Sequence, residues 1–106
     1  MENSILLAEA DCFQIIQFKS CGRVGVRCNN TLLSFTQIEY EKFVESYQKI
    51  RFERHSILFP DNVTRLIMNT PAHCIQLCFN EEEYTAFKQI LTEAIIVLRA
   101  KTIINS

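Results

Sequence analysis

Five cysteines and two histidines are the residues of this chain best suited to metal or nucleophilic chemistry: Cys12, Cys21, Cys28, His55, His73, Cys74 and Cys78. Structural zinc sites draw ligands in pairs two to four residues apart, usually on turns. The chain has no Cys-x-x-Cys, and its nearest approach to such a pair is His73-Cys74-x-x-x-Cys78. On a strand Cys74 and Cys78 stand about 13 Å apart, too far to share one tetrahedral ion. Cys21, His73 and Cys74 are therefore the residues to examine for a metal, while the expectation is no metal and no cofactor. Cysteine is among the most often buried residue types and packs as a small hydrophobe. Cys21 is also the candidate for thiol chemistry, because Gly22 and Arg23 follow it in a predicted turn and a neighbouring cation lowers a thiol pKa. A nucleophile needs a base within hydrogen-bond reach, and no spacing brings His55 or His73 to it. Glu81, Glu82 and Glu83 fall in the first turn of a predicted helix, where the helix dipole favours negative charge. No carboxylate pair stands in an apolar setting that would suit general acid/base work.

The remaining chemistry is recognition. Arg23 and Arg27 share one side of a predicted strand, and with Arg65 they are the candidate ligand-binding residues. Basic strands contact phosphates, so nucleic acid is the alternative partner. Eleven Lys and Arg against twelve Asp and Glu leave a net charge of -1, the aromatics are committed to core positions, and no RNA-binding signature occurs. Nucleic acid is therefore not the expected ligand.

At 106 residues the chain has room for one domain, and 48% hydrophobic and 22% charged residues suit a folded core. Two glycines leave no phosphate-cradling loop. The start, Met1-Glu-Asn-Ser-Ile-Leu-Leu-Ala-Glu, lacks a basic leader, and later apolar runs such as 94–98 fall short of the roughly 20 residues that span a bilayer. The expectation is a cytoplasmic protein with reduced thiols and no membrane partner.

An internal repeat organises the elements that must carry these residues. Leu33-Ser-Phe35-Thr36-Gln-Ile-Glu39-Tyr40-Glu-Lys-Phe43 aligns without gaps on Leu77-Cys-Phe79-Asn80-Glu-Glu-Glu83-Tyr84-Thr-Ala-Phe87, offset by 44 residues, with five of eleven positions identical. Thr36 or Asn80 supplies an N-cap oxygen, and Glu39 or Glu83 three residues later closes a capping box. Helices follow, with apolar stripes Tyr40, Phe43, Val44, Tyr47, Ile50 and Tyr84, Phe87, Leu91, Ala94, Ile95, Leu98, the second ending near Ala100. Period-two segments precede both caps. Upstream lie strands over 12–19 and 23–28, with turns at Ser20-Cys21-Gly22 and Asn29-Asn30. The second half repeats the outline: 52–59 extended, a turn at Pro60-Asp61-Asn62, strand 63–68, a turn at 69–72 and strand 74–79.

The Cys21-Gly22-Arg23-Val24 segment, the Thr31-Leu32-Leu33-Ser34-Phe35-Thr36 strand with Glu39-Tyr40-x-x-Phe43, and the Arg65-x-Ile67 and Leu77-x-Phe79 strands resemble a set of small bacterial domains of unknown function. The resemblance covers most of the chain. It departs at Asn29-Asn30, where those domains more often carry glycine, and at the nearest upstream cysteine, Cys12, which in them lies closer to the position of Cys21. They carry no assigned activity, so the resemblance implies no catalytic residue.

The expected fold is α+β: a βββα unit used twice, over about 12–50 and 52–100, giving a roughly six-stranded antiparallel sheet with both helices on one face. Leu33, Phe35, Ile75, Leu77 and Phe79 would then face the helices. Leu32, Ser34, Cys74, Gln76 and Cys78 would face away, beside either Phe13 and Ile15 or Ile16 and Phe18. With Ile103 and Ile104 past the second helix, that mixed surface predicts a non-enzymatic homodimeric interaction module for an unidentified protein or small-molecule partner. The alternatives are a nucleic-acid-binding protein using the arginine-bearing strands or a thiol- or metal-binding protein.

Overall fold

The structure is a computed structural model and describes residues 3–105; Met1, Glu2 and Ser106, which end the two terminal segments considered above, lie outside the described residues. Four strands form a simple meander: β1 Ser4–Ala10, β2 Phe13–Phe18, β3 Val24–Cys28 and β4 Thr31–Phe35, all antiparallel in that order. Helix α1 (Gln37–Gln48) follows β4, then a one-turn helix α2 (Phe52–His55) and a second antiparallel sheet of β5 (Ile57–Leu58), β6 (Thr64–Asn69) and β7 (Gln76–Phe79). Helix α3 (Glu81–Asn105) closes the chain.

The α+β class is present, and the single six-stranded sheet is replaced by two sheets of four and three strands. The unanticipated β1 explains part of the difference, because it occupies the edge of β2 that another strand would use. In the second half, 52–59 divides into the α2 turn and a two-residue β5, so that sheet stays small. The two sheets meet through their inner faces: Phe13 of β2 and Phe79 of β7 stand edge to face with centroids 5.3 Å apart. Phe87 of α3 reaches both, at 5.3 and 4.9 Å. α3 therefore packs on strands of both sheets as well as on α1. It also runs past Ala100, so Ile103 and Ile104 are helical.

The turns and caps follow from local chemistry. Gly22 takes φ +73° and Asn29 φ +54°, both in the left-handed region that glycine and asparagine tolerate best. At α1 the Glu39 amide donates to Thr36 Oγ1 (3.2 Å) and the Thr36 amide to Glu39 Oε1 (2.8 Å). At α3 the Glu83 amide donates to Asn80 Oδ1 (2.8 Å) and the Asn80 amide to Glu83 Oε1 (2.9 Å). Both boxes thus satisfy helix-start donors reciprocally. The repeat residues Leu33, Phe35, Tyr40, Phe43, Leu77, Phe79, Tyr84 and Phe87 are all buried. Ile75 is not: it precedes β7 and is 44% exposed.

The two helices are tied reciprocally. Tyr40 of α1 donates its hydroxyl to the Leu91 carbonyl (2.9 Å), and Tyr84 of α3 donates to the carbonyls of Tyr47 (3.1 Å) and Ile50 (2.8 Å). Tyr84 and Leu91 stand 44 residues beyond Tyr40 and Tyr47, the repeat offset.

Candidate binding surface

Strand register places the sequence-predicted arginines. Row by row across β1 to β4, the outer face of the four-stranded sheet carries Leu6, Ile16, Gly25 and Ser34, and on one side of that row Glu9, Gln14, Arg27 and Leu32. On the other side stand Ser4 and Phe18 with Arg23, whose carbonyl accepts from the Phe18 amide at 2.9 Å. A register shift between Leu6 and Ala8 lets Leu7 and Ala8 both turn inward and leaves Leu6 half exposed on this face.

The centre of the face is apolar because Gly25 has no side chain. A Cβ there would meet Leu32 Cδ1 at 3.1 Å, Ile16 Cγ1 at 3.2 Å and Phe18 Cε2 at 3.3 Å, so these three side chains converge over the glycine. Leu6 and Leu32 are 50% and 49% exposed. The result is an apolar floor between Arg27 on β3 and Arg23 immediately before it.

Both guanidinium groups are held in place. Arg23 donates from Nε to Ser34 Oγ (2.9 Å) and from Nη2 to the Ser34 carbonyl (3.0 Å). Arg27 donates from Nε to Gln14 Oε1 (3.0 Å) and from Nη1 to the Asn29 carbonyl (2.8 Å). Gln14 in turn donates to Glu9 Oε2 (3.2 Å), so one carboxylate lies at the far end of that row. The surface therefore presents two oriented cations flanking a hydrophobic strip.

Arg65 is elsewhere. It lies on the second sheet in a two-pronged ion pair with Asp61 (3.1 and 2.9 Å), its guanidinium carbon 5.1 Å from the centroid of the Phe59 ring. Asp61 also accepts from the Val63 amide (3.2 Å), so the pair closes the turn ahead of β6. Those hydrogen bonds hold the Asp61 carboxyl below its ordinary range, Arg65 being the main cause.

The cysteines and histidines separate too. Cys21 is exposed and lines a pocket of about 310 Å³ with Gly22, Arg23, Thr36 and Gln37. His73 and Cys74 are exposed in the turn between β6 and β7, and Cys78 is exposed on β7. Among the described residues no three His, Cys, Asp or Glu side chains gather as a cation site. Cys28 is buried, and burial above all, with Cys12 beside it, pushes its thiol up to about 12. His55 turns back on its own helix, with Nδ1 2.9 Å from the Arg51 carbonyl.

Two features escaped the sequence reading. A pocket of about 510 Å³ lies at the Gly22 end of the four-stranded sheet, lined by Ile5, Gln17, Phe18, Lys19, Gln37 and Lys101, with Lys101 Nζ donating to Gln17 Oε1 (3.1 Å). No short-range pattern joins residues 84 apart. A cleft of about 620 Å³ between α2 and α3 includes Phe52, Tyr84 and Lys88.

No family model, curated protein or solved structure matches the chain. The functional reading therefore rests on the geometry. No helix among the described residues is long and apolar enough to cross a membrane.

Proposed function

We propose that this protein is a non-enzymatic interaction module that works as a homodimer through the outer face of α3. The observation that carries the proposal is that the C-terminal half of α3 is apolar on both sides. Ala94, Ile95 and Leu98 are buried in the core, while Ile96 is 60% and Ile104 80% exposed on the opposite side, beside Val97 and the small Ala100. Exposed apolar side chains clustered opposite a helix's buried face mark an interaction surface.

The occupant is a second copy of the chain. Ile96, Ala100 and Ile103 recur at spacings of four and three, the seam of an antiparallel helix pair, and Ala100 at the middle allows close approach. A twofold axis there sets each stripe on itself, the self-complementary geometry of most homodimers. The interface extends toward α1, because Ile103 also lines a groove of about 300 Å³ with Gln37, Glu41 and Arg99, and the neighbouring Ile38 is exposed. Standard interfaces bury about 800 Å² per partner, more than one helix half supplies, so this contribution from α1 is needed. Sedimentation equilibrium tests the reading: a dimer supports it, and a monomer at tens of micromolar contradicts it.

We further infer that the chain arose by duplication of a strand-rich unit ending in a helix. The paired capping boxes and the reciprocal tyrosines support this. So does the match between Phe35–Phe43 and Phe79–Phe87, whose centroids stand 4.7 and 4.9 Å apart at equivalent repeat positions.

A further inference from the structure

We propose that the outer face of the four-stranded sheet docks an acidic amphipathic helix from a partner protein, with carboxylates meeting Arg23 and Arg27 and apolar side chains covering Leu6, Ile16, Phe18 and Leu32. The proposal deepens the reading of the chain as an interaction module and is independent of how α3 pairs.

An apolar sheet face is ordinarily covered by another layer, and a helix is the usual cover. The inner face has α3. The outer face has apolar side chains converging over Gly25. Four strands at about 4.8 Å spacing span roughly 14 Å, enough to seat one helix of about 10 Å diameter.

Charge decides what kind of helix. Arg23 and Arg27 are four residues apart on one strand line, about 13 Å at 3.3 Å per residue. Carboxylates seven or eight residues apart on a helix stand roughly 10–12 Å apart, within reach of both. Each guanidinium has five donors, and the acceptors of the sheet hold two of each, which orients the group for a carboxylate. Of the nearby carboxylates, Glu9 lies at the far edge of the Arg27 row, and Glu39, in the first turn of α1 and bonded to Thr36, lies near Arg23.

The same features disfavour the other occupants. A second copy would bring two pairs of arginines onto one apolar strip. Nucleic acid bases stack on aromatic platforms, whereas this floor is aliphatic apart from Phe18.

The test is fluorescence anisotropy with three labelled probes: a 16-residue helical peptide with a leucine stripe and glutamates seven apart, its lysine-for-glutamate counterpart, and oligouridine. The expected result is saturable binding of the acidic peptide alone, weakened about tenfold or more by Arg23→Gln with Arg27→Gln. Because Arg27 also ties Gln14 and the Asn29 turn, a second variant, Leu32→Glu, places a like charge on the half-exposed floor and is expected to abolish binding in a folded protein. No saturable binding, equal binding of the lysine peptide, undiminished binding by Leu32→Glu, or preference for oligouridine overturns the proposal. Sedimentation of the same samples separates the two readings. A dimer that binds no peptide refutes only the docking face, and a monomer that binds it refutes only the α3 pairing.

Discussion

The hydroxyl of Tyr40 donates to the carbonyl of Leu91 across 2.9 Å, and its repeat counterpart Tyr84 donates to Tyr47, the counterpart of Leu91. The two bonds differ in what they satisfy. Leu91 lies within α3, where its carbonyl also serves the helix ladder. Tyr84 reaches Ile50 as well, two residues past the end of α1, so one hydroxyl fastens both the last turn of the helix and the chain leaving it. Tyr84→Phe should therefore cost about 1–2 kcal/mol in urea unfolding and Tyr40→Phe about 0.5–1 kcal/mol. Equal costs would contradict this fastening role of Tyr84.

Phe87 contacts Phe13, Tyr47 and Phe79 and is fully buried. It joins both sheets to α1, so Phe87→Ala should destabilise by about 3–5 kcal/mol. Chemical denaturation measures the loss, and a variant that unfolds like the parent would remove α3 from the centre of the core.

The Glu39 carboxyl is held below its ordinary range, first by the Thr36 amide and then by the Thr36 side chain. A carboxylate whose folded pKa is depressed contributes stability at neutral pH that is lost as pH falls through the ordinary carboxylate range toward the folded value. The urea midpoint should drop on acidification, and Glu39→Gln should flatten that dependence. An unchanged pH profile in the variant would show that the box carboxylate does not titrate with folding.

Thiol reactivity should follow burial. Near neutral pH, iodoacetamide should modify the exposed Cys21, Cys74 and Cys78 in the native protein and reach Cys28 only on unfolding, because a thiol pushed up to about 12 holds almost no thiolate. Mass spectrometry of digests locates the adducts, and prompt native labelling of Cys28 would contradict its placement.

Much of the fold was legible where local rules act. The repeat identified both capping boxes and all eight of its core residues, because cap chemistry and helical periodicity are short-range signals. β1 was missed because Ile5, Leu6 and Leu7 form an unbroken apolar run that a bulge accommodates, without the alternation that marks a strand. The 52–59 segment read as extended, but Phe52–His55 forms one helical turn whose boundaries no residue type announces. The single sheet failed because strand order depends on which edges and faces meet, here Phe13 against Phe79, a contact across 66 residues. Arg27 lies on β3 and Arg23 immediately before it, so the strand expected from residue 23 begins one residue later. Arg65 was not part of their surface, since Asp61 four residues earlier engages it within its own turn. Gly25 in mid-strand was the available sign of a crowded outer face.

Cross-linking at the middle of the α3 stripe tests the proposed dimer most directly. In a twofold helix pair centred on Ala100, that residue faces its own copy. Ala100→Cys, with Cys21, Cys74 and Cys78 replaced by serine, should form a disulfide-linked dimer rapidly under mild oxidation, whereas Lys42→Cys in the same background, on exposed α1 surface, should not. A monomeric Ala100→Cys protein under those conditions, or equal cross-linking at both positions, would contradict pairing through α3.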